Sequence, residues 1–138
     1  MLYSLLVIGC GASSSEPGAA PASDGPAAAA PAGAKRDTDV AELKSALDAG
    51  KVPVLIDVRT RDEYGSGHVP GARNIPVAEL GMHTSTDLAP FRGEEVWLIC
   101  QSGGRSSRGA STLAAAGFHT VNVKGGTSAW QAAGYPTE

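Results

Sequence analysis

From about residue 37 onward, apolar residues come in short runs separated by polar, glycine-rich connections; before it, past the first few positions, large apolar residues are almost absent. Residues 52–58 form an apolar run of strand length, broken only by Pro53 near its start. Residues 72–75 read as a brief strand. Residues 95–99 and 120–123 are further strands, too short for helices and rich in residues that suit burial. Helical stretches lie between them. Val40, Leu43 and Leu47 share one face of a helix that opens on Asp39, with Glu42 three residues later as in a capping box, and stops at Gly50. Residues 61–64 predict a short helix. Residues 106–116 predict a longer one, with Ala110, Leu113 and Ala114 along one side and Gly117 at its end, and residues 128–133 a last one. Residues 81–90 have no clear period and read as a surface loop. Strands alternating with helices in this way predict an α/β fold on a mostly parallel sheet. A stretch of about 100 residues suffices for one such domain and is too short for two.

The strand-to-helix junction VWLIC-QSGG-RSSRGASTLAAAG holds the candidate chemistry. Cys100 ends the strand, and the loop after it runs into a helix N-terminus. Backbone N–H groups there lack internal partners and the peptide dipoles add positive potential, so an anion is favoured. With Arg105 five residues on, the thiol is expected below the free value of about 8.5. Gly103 and Gly104 remove Cβ atoms that would stop the loop curling, so its N–H groups can converge on an anion. The bland alternative is a buried cysteine closing a strand, but such a residue has no need of GGR directly after it. Loop length then separates two chemistries. Cysteine-dependent phosphatases place five residues between cysteine and arginine, enough to encircle a phosphate. Only Gln101, Ser102, Gly103 and Gly104 intervene here, a smaller ring suited to one extra sulfur atom on the cysteine.

CQSGGRS matches the CxxGxRS loop of single-domain rhodanese-like sulfurtransferases, and the chain resembles that family at two further places. LIDVRTRDEYGSGHVPGARNIP, residues 55–76, is similar to its DVRxxxEYxxGHIxGAxNIP signature. VNVKGGTSAWQAAGYP, residues 121–136, is similar to its closing VxxLxGGxxAWxxAGYP signature. The resemblance implies a three-layer α/β/α domain over residues 37–138. It implies sulfane-sulfur transfer through a persulfide on Cys100, from thiosulfate or a persulfide donor to cyanide or a thiol. The loop from Gln101 through Ser102, Gly103, Gly104 and Arg105 to Ser106 would hold the persulfide. Arg105 would either stabilise the anion or turn outward and brace the loop; Arg108, one turn on, is at best a rim contact. Gln101 is neutral where efficient thiosulfate users often carry a basic residue. Asp57, Arg59 and His68 fall at framework positions, Gly125 and Gly126 mark a turn, and Trp130 reads as core. A non-catalytic binding or sensor module is the alternative on this fold, and a phosphatase or arsenate reductase a more distant one.

Composition adds a second theme. Residues 2–8 are apolar, and Val7-Ile8-Gly9-Cys10 resembles a lipobox, the site where bacterial lipoproteins are cut and lipidated on the cysteine. Residues 11–36, rich in Ala, Pro, Ser and Gly, cannot bury enough surface to fold and are expected to form a disordered tether. Random-coil scaling gives such a tether a span of about 30 Å. A signal peptide normally runs about 15–30 residues from a basic start, so a leader beginning upstream of Met1 is expected. The expected location is the bacterial envelope, with a lipid membrane engaged through Cys10; the alternative is a cytoplasmic protein with an apolar start. The domain holds one cysteine, so it can form no internal disulfide. With 11 basic and 14 acidic residues and no basic tract, nucleic acid is not an expected partner. No His/Cys cluster has metal-ligand spacing, so no metal or cofactor is expected. Small sulfur donors and thiol or cyanide acceptors are the expected partners of a monomer.

Overall fold

A computed structural model describes residues 33–138; the lipobox with Cys10 and the stretch 11–32 lie outside the described residues. Five strands, β1 (Lys35–Thr38), β2 (Val54–Asp57), β3 (Arg73–Asn74), β4 (Glu95–Ile99) and β5 (His119–Val123), form one sheet in the order β1-β5-β4-β2-β3. Every neighbouring pair is parallel. The helices are α1 (Val40–Asp48), α2 (Arg61–Gly65), α3 (Gly104–Ala115) and α4 (Gly126–Ala132). Because the strands run the same way, their C-terminal ends share one edge, where open parallel sheets bind ligands.

The central strands β2 and β4 are buried on both faces, which is why they read as unbroken apolar runs. Alternation divides their side chains between two cores. Val54, Ile56, Val96, Leu98 and Cys100 face Ala110 and Leu113 of α3. Leu55, Trp97 and Ile99 face the opposite way, with Leu43 of α1 and Trp130 of α4. The sheet is therefore the middle of three layers, as expected. Asp39 caps α1 by accepting from the Glu42 N–H at 2.9 Å, and Gly50 follows the helix at φ 70°.

Two segments differ from the sequence reading. β1 is not predicted by the sequence, in which the tether runs to residue 36 and β1 starts at Lys35. Lys-Arg-Asp-Thr has no apolar pattern; its place as an edge strand comes from a backbone ladder to β5, from Lys35↔Thr120 to Thr38↔Val123, and charged side chains are usual on an exposed edge. Residues 81–90 are not a featureless loop either. Two 3₁₀ segments, Val77–His83 and Ala89–Phe91, bracket turns and bury Leu80 and Leu88 in the α3-side core. Gly109 of α3 admits that contact: a Cβ there would lie 2.7 Å from Leu80 Cδ1. A period set by 3₁₀ turns escapes a search for helical or strand repeats.

Candidate active site

Cys100 follows β4 directly, and α3 begins at Gly104, two residues earlier than expected. Gly103 makes the turn at φ 111°, in the left-handed region that favours glycine. Gly104 has no such role, because a Cβ there would meet open space. The curl assigned to both glycines thus belongs to Gly103 alone. The Gly103 N–H donates to Cys100 Sγ at 3.0 Å and the Ser106 hydroxyl lies 3.4 Å from it. The N–H groups of Gly104, Arg105 and Ser106 open the helix and have no acceptor in a preceding turn.

Cys100 is 1% exposed, so the bland and the reactive readings meet in one residue. Burial pushes the thiol up. The Ser106 hydroxyl and the N–H groups of Ser106, Gly103 and Ser102 act against it and prevail, holding the thiol below its ordinary value.

Arg105 takes the second of the two roles open to it. Its guanidinium forks onto Glu63 of α2, with both N···O distances 2.8 Å. Glu63 also accepts from the Thr60 N–H and hydroxyl that cap α2. The forked bond from Arg105, against a smaller push from burial, holds the Glu63 carboxyl down to about 2. Arg105 therefore braces the loop against α2, and its charge is compensated.

α4 clamps the loop from the other side. Its first N–H groups find their acceptors in the active loop: Thr127 donates to the Cys100 carbonyl at 2.7 Å and Ser128 to the Gln101 carbonyl at 3.0 Å. This approach requires Gly126, because an added Cβ would overlap the Cys100 carbonyl oxygen. Gln101 spans the gap with its side chain, donating to Ser128 Oγ at 2.6 Å and accepting from Arg59 Nη1 at 3.1 Å. Arg59 is itself buried in a pair with Asp57 at 2.8 Å and donates to the Gly67 carbonyl at 2.7 Å. Asp57 and Arg59 are thus framework, with one direct tie to the loop. His68 stacks on Tyr64 at 3.7 Å between ring centres and exchanges backbone bonds with Glu138, a loop-fixing role. Trp130 is core, its indole N–H donating to the Pro136 carbonyl at 2.7 Å. Ser102 is exposed and contributes its N–H; Arg108 is exposed on α3 and has no part in the cradle. Among the described residues no cluster of His, Cys, Asp and Glu could hold a metal, and no helix is long and apolar enough to cross a membrane.

Sequence reading missed Gly126, Thr127, Ser128 and Asn122. The doubled glycine was visible but read as a turn; its contact with the Cys100 carbonyl depends on sheet register. Asn122, on β5, carried no signal at all, yet its amide oxygen lies 2.6 Å from Ser106 Oγ.

What the arrangement can do follows from its size. A cysteine sulfur ringed by N–H donors, in a loop with four residues between cysteine and arginine, has room for one further anionic atom. Known proteins with related chains place it in a family. This chain is 36% identical over 93 residues to a chloroplastic thiosulfate sulfurtransferase of Arabidopsis thaliana, covering 60% of this chain and 78% of that one. It is 34% identical over 96 residues to the putative sulfurtransferase YtwF of Bacillus subtilis, covering 70% and 90%. The solution structure of a rhodanese-like domain from an Anabaena protein matches with a TM-score of 0.66 at 35% identity, over 74% of this chain and 77% of that one. Residues 39–133, from the cap of α1 to the end of α4, match the family described as Rhodanese-like domain, and with the cysteine loop intact between them the chain belongs to that family.

Proposed function

We propose that the domain transfers sulfane sulfur through a persulfide on Cys100. The observation that carries this reading is Cys100 Sγ set inside converging donors, the Gly103 N–H at 3.0 Å and the Ser106 hydroxyl at 3.4 Å, which hold the thiol below its ordinary value. The thiolate attacks the outer sulfur of the donor. The donor's S–S bond breaks, its electron pair leaves with sulfite or a thiolate, and the outer sulfur stays on Cys100 as an anionic persulfide. The Gly104 and Arg105 N–H groups at the start of α3 receive that charge. Cyanide or a thiolate then attacks the outer sulfur, and Cys100 leaves as the thiolate it was.

The charges carried by the loop and its braces favour a singly charged persulfide donor over dianionic thiosulfate. Arg105 is paired with Glu63, Arg59 with Asp57, and Gln101 is neutral, so no uncompensated cation of the loop meets a second negative charge. Sulfur transfer should be faster from a small-molecule persulfide than from thiosulfate at equal concentration, with cyanide as acceptor. Cys100 should gain the mass of one sulfur atom. Cys100→Ser should lower transfer below about a tenth of wild type with the fold intact, because a hydroxyl cannot carry a persulfide. No sulfur adduct on Cys100, or turnover of an aryl phosphate instead, overturns the proposal.

Cys10 is proposed as a lipid attachment site that tethers the domain to a bacterial membrane. The support is the Val7-Ile8-Gly9-Cys10 sequence followed by the Ala/Pro/Ser-rich stretch. Labelled fatty acid should enter the protein through Cys10 when it is expressed in a bacterium behind its genomic upstream sequence. A soluble product with Cys10 free removes this claim and leaves the sulfur chemistry standing.

A further inference from the structure

A polar chain runs from the sulfur to the edge of the sheet. Ser106 Oγ lies 3.4 Å from Cys100 Sγ, 3.2 Å from the Gly103 carbonyl and 2.6 Å from Asn122 Oδ1. The Asn122 amide nitrogen donates to Asp37 Oδ1 at 3.0 Å. Asn122 and Asp37 are cross-strand partners on β5 and β1. The Ser106 hydroxyl has one proton and three acceptors within reach. An ionised carboxylate only accepts, so Asp37 claims the amide N–H and turns Oδ1 toward Ser106; the reverse orientation would set two acceptors face to face. The shortest contact then gives the hydroxyl proton to Asn122. Ser106 is 0% and Asn122 3% exposed, and an acceptor stranded at such depth is costly.

We infer that Asn122, oriented by Asp37, is a positioning residue that competes with Cys100 for the Ser106 hydroxyl proton and so favours the sulfur-loaded cysteine over the bare thiolate. With Cys100 as a thiol, Ser106 donates to Asn122. When the thiol loses its proton to solvent, Ser106 must turn its hydrogen onto Sγ, and Asn122 Oδ1 is left without a donor. When a sulfur atom is bound, Sγ becomes the uncharged inner atom. The negative charge sits on the outer sulfur among the loop N–H groups, and the hydroxyl returns to Asn122. Loading therefore restores a buried hydrogen bond that ionisation breaks. The second half of this cycle rests on the persulfide reading; the competition for the proton does not.

Other charges around Cys100 come from each neighbouring element. Asp57 and Arg59 follow β2 as a pair, Glu63 of α2 pairs with Arg105 of α3, Lys124 follows β5 beside Gly103, and Asp37 lies on β1. Asn122→Val leaves each of these charges in place and, besides the acceptor for Ser106, removes only the amide bond to Asp37. The test is the rate of iodoacetamide alkylation of Cys100 against pH in the full chain carrying Cys10→Ser, so that one thiol reports. The variants are Asn122→Val, Ser106→Ala and the two combined. A neutral buried hydrogen bond sets the expected size: Asn122→Val should move the midpoint down by about half to one pH unit, a three- to tenfold faster reaction below it. In the Ser106→Ala background the same substitution should move it by less than about 0.2 unit, there being no hydroxyl to release. At a pH above both midpoints, the equilibrium between thiolate and persulfide with a fixed donor should shift toward thiolate by the same three- to tenfold. A midpoint that stays, rises, or falls equally with and without the hydroxyl overturns the inference. Should Asn122→Val fail to fold, Asp37→Ala at the exposed edge gives the same comparison. Its shift must be larger with Ser106 present than with alanine there, the remainder being the lost carboxylate charge, and equal shifts overturn the inference. Absence of a sulfur adduct in the wild type sinks the sulfur-transfer reading and leaves the alkylation result to decide the competition.

Discussion

Gly126 is where the smallest change should do the most damage. It opens α4 at φ 59°, and an added Cβ would overlap the Cys100 carbonyl oxygen and lie 2.6 Å from the Gln101 carbonyl carbon and oxygen. Backbone cannot yield as a side-chain tip can, so Gly126→Ala must push α4 away from the active loop. Left-handed geometry costs an ordinary residue about 1–2 kcal/mol. Separation also breaks the bonds from Thr127 N–H to Cys100 at 2.7 Å and from Ser128 N–H to Gln101 at 3.0 Å, each worth about 1 kcal/mol. The sum is about 3–4 kcal/mol, a large part of the roughly 5–15 kcal/mol that holds a small domain. Urea unfolding followed by circular dichroism measures it, and sulfur transfer should fall at least about tenfold because the cradle is aligned to fractions of an ångström. Gly104→Ala is the control: the same substitution at the first residue of α3 meets open space at an ordinary φ, so stability should stay within about 0.5 kcal/mol of wild type. If Gly126→Ala costs less than about 1 kcal/mol, or costs no more than Gly104→Ala, α4 does not clamp the loop and the account of the site is wrong.

Three other outcomes are expected. Glu63, lowered from 4.5 to about 2 chiefly by Arg105, stabilises the fold above the unfolded-state value and loses that contribution as pH falls from about 4.5 through about 2. With side chains 31% and 33% exposed, the pair is worth about 1 kcal/mol or less, so Glu63→Gln should cost that much at neutral pH and flatten acid unfolding in this window. Inserting one glycine between Ser102 and Gly103 should sharply lower sulfur transfer and raise phosphate or arsenate affinity from none to weak, measured by calorimetry; unchanged transfer would show that loop length does not select the chemistry. A chain starting at residue 31 should match full-length stability in urea. One starting at residue 39, without β1 and its bonds such as Lys124 N–H to Thr38 at 2.8 Å, should lose about 2 kcal/mol or more, and equal stability would deny β1 its place.

Two misreadings share a cause. β1 has a charged sequence whose first two residues read as tether, and residues 81–90 read as surface loop although Leu88 is buried. Both segments owe their structure to what lies beside them, the β5 ladder in one case and the α3-side core in the other. Arg105 shows the same limit within the site. Its neighbours in sequence allow it to face the sulfur or to turn away, and Glu63, 42 residues earlier, makes the choice.

The order of elements, the parallel sheet, the family, and Cys100 at a strand-to-helix junction with donors ahead of it are all legible in the amino-acid sequence. These follow from rules that act over a few residues: the period of apolar positions, turn glycines, helix caps and the spacing within a motif. The packed fold is needed to see that Gly126 presses on the Cys100 carbonyl, that Gln101 bridges Arg59 and Ser128, and that Asn122 and Asp37 stand behind Ser106. Those contacts join residues far apart in the chain, and their distances are set by the register of five strands; shifting one strand by a residue turns each of its side chains to the other face.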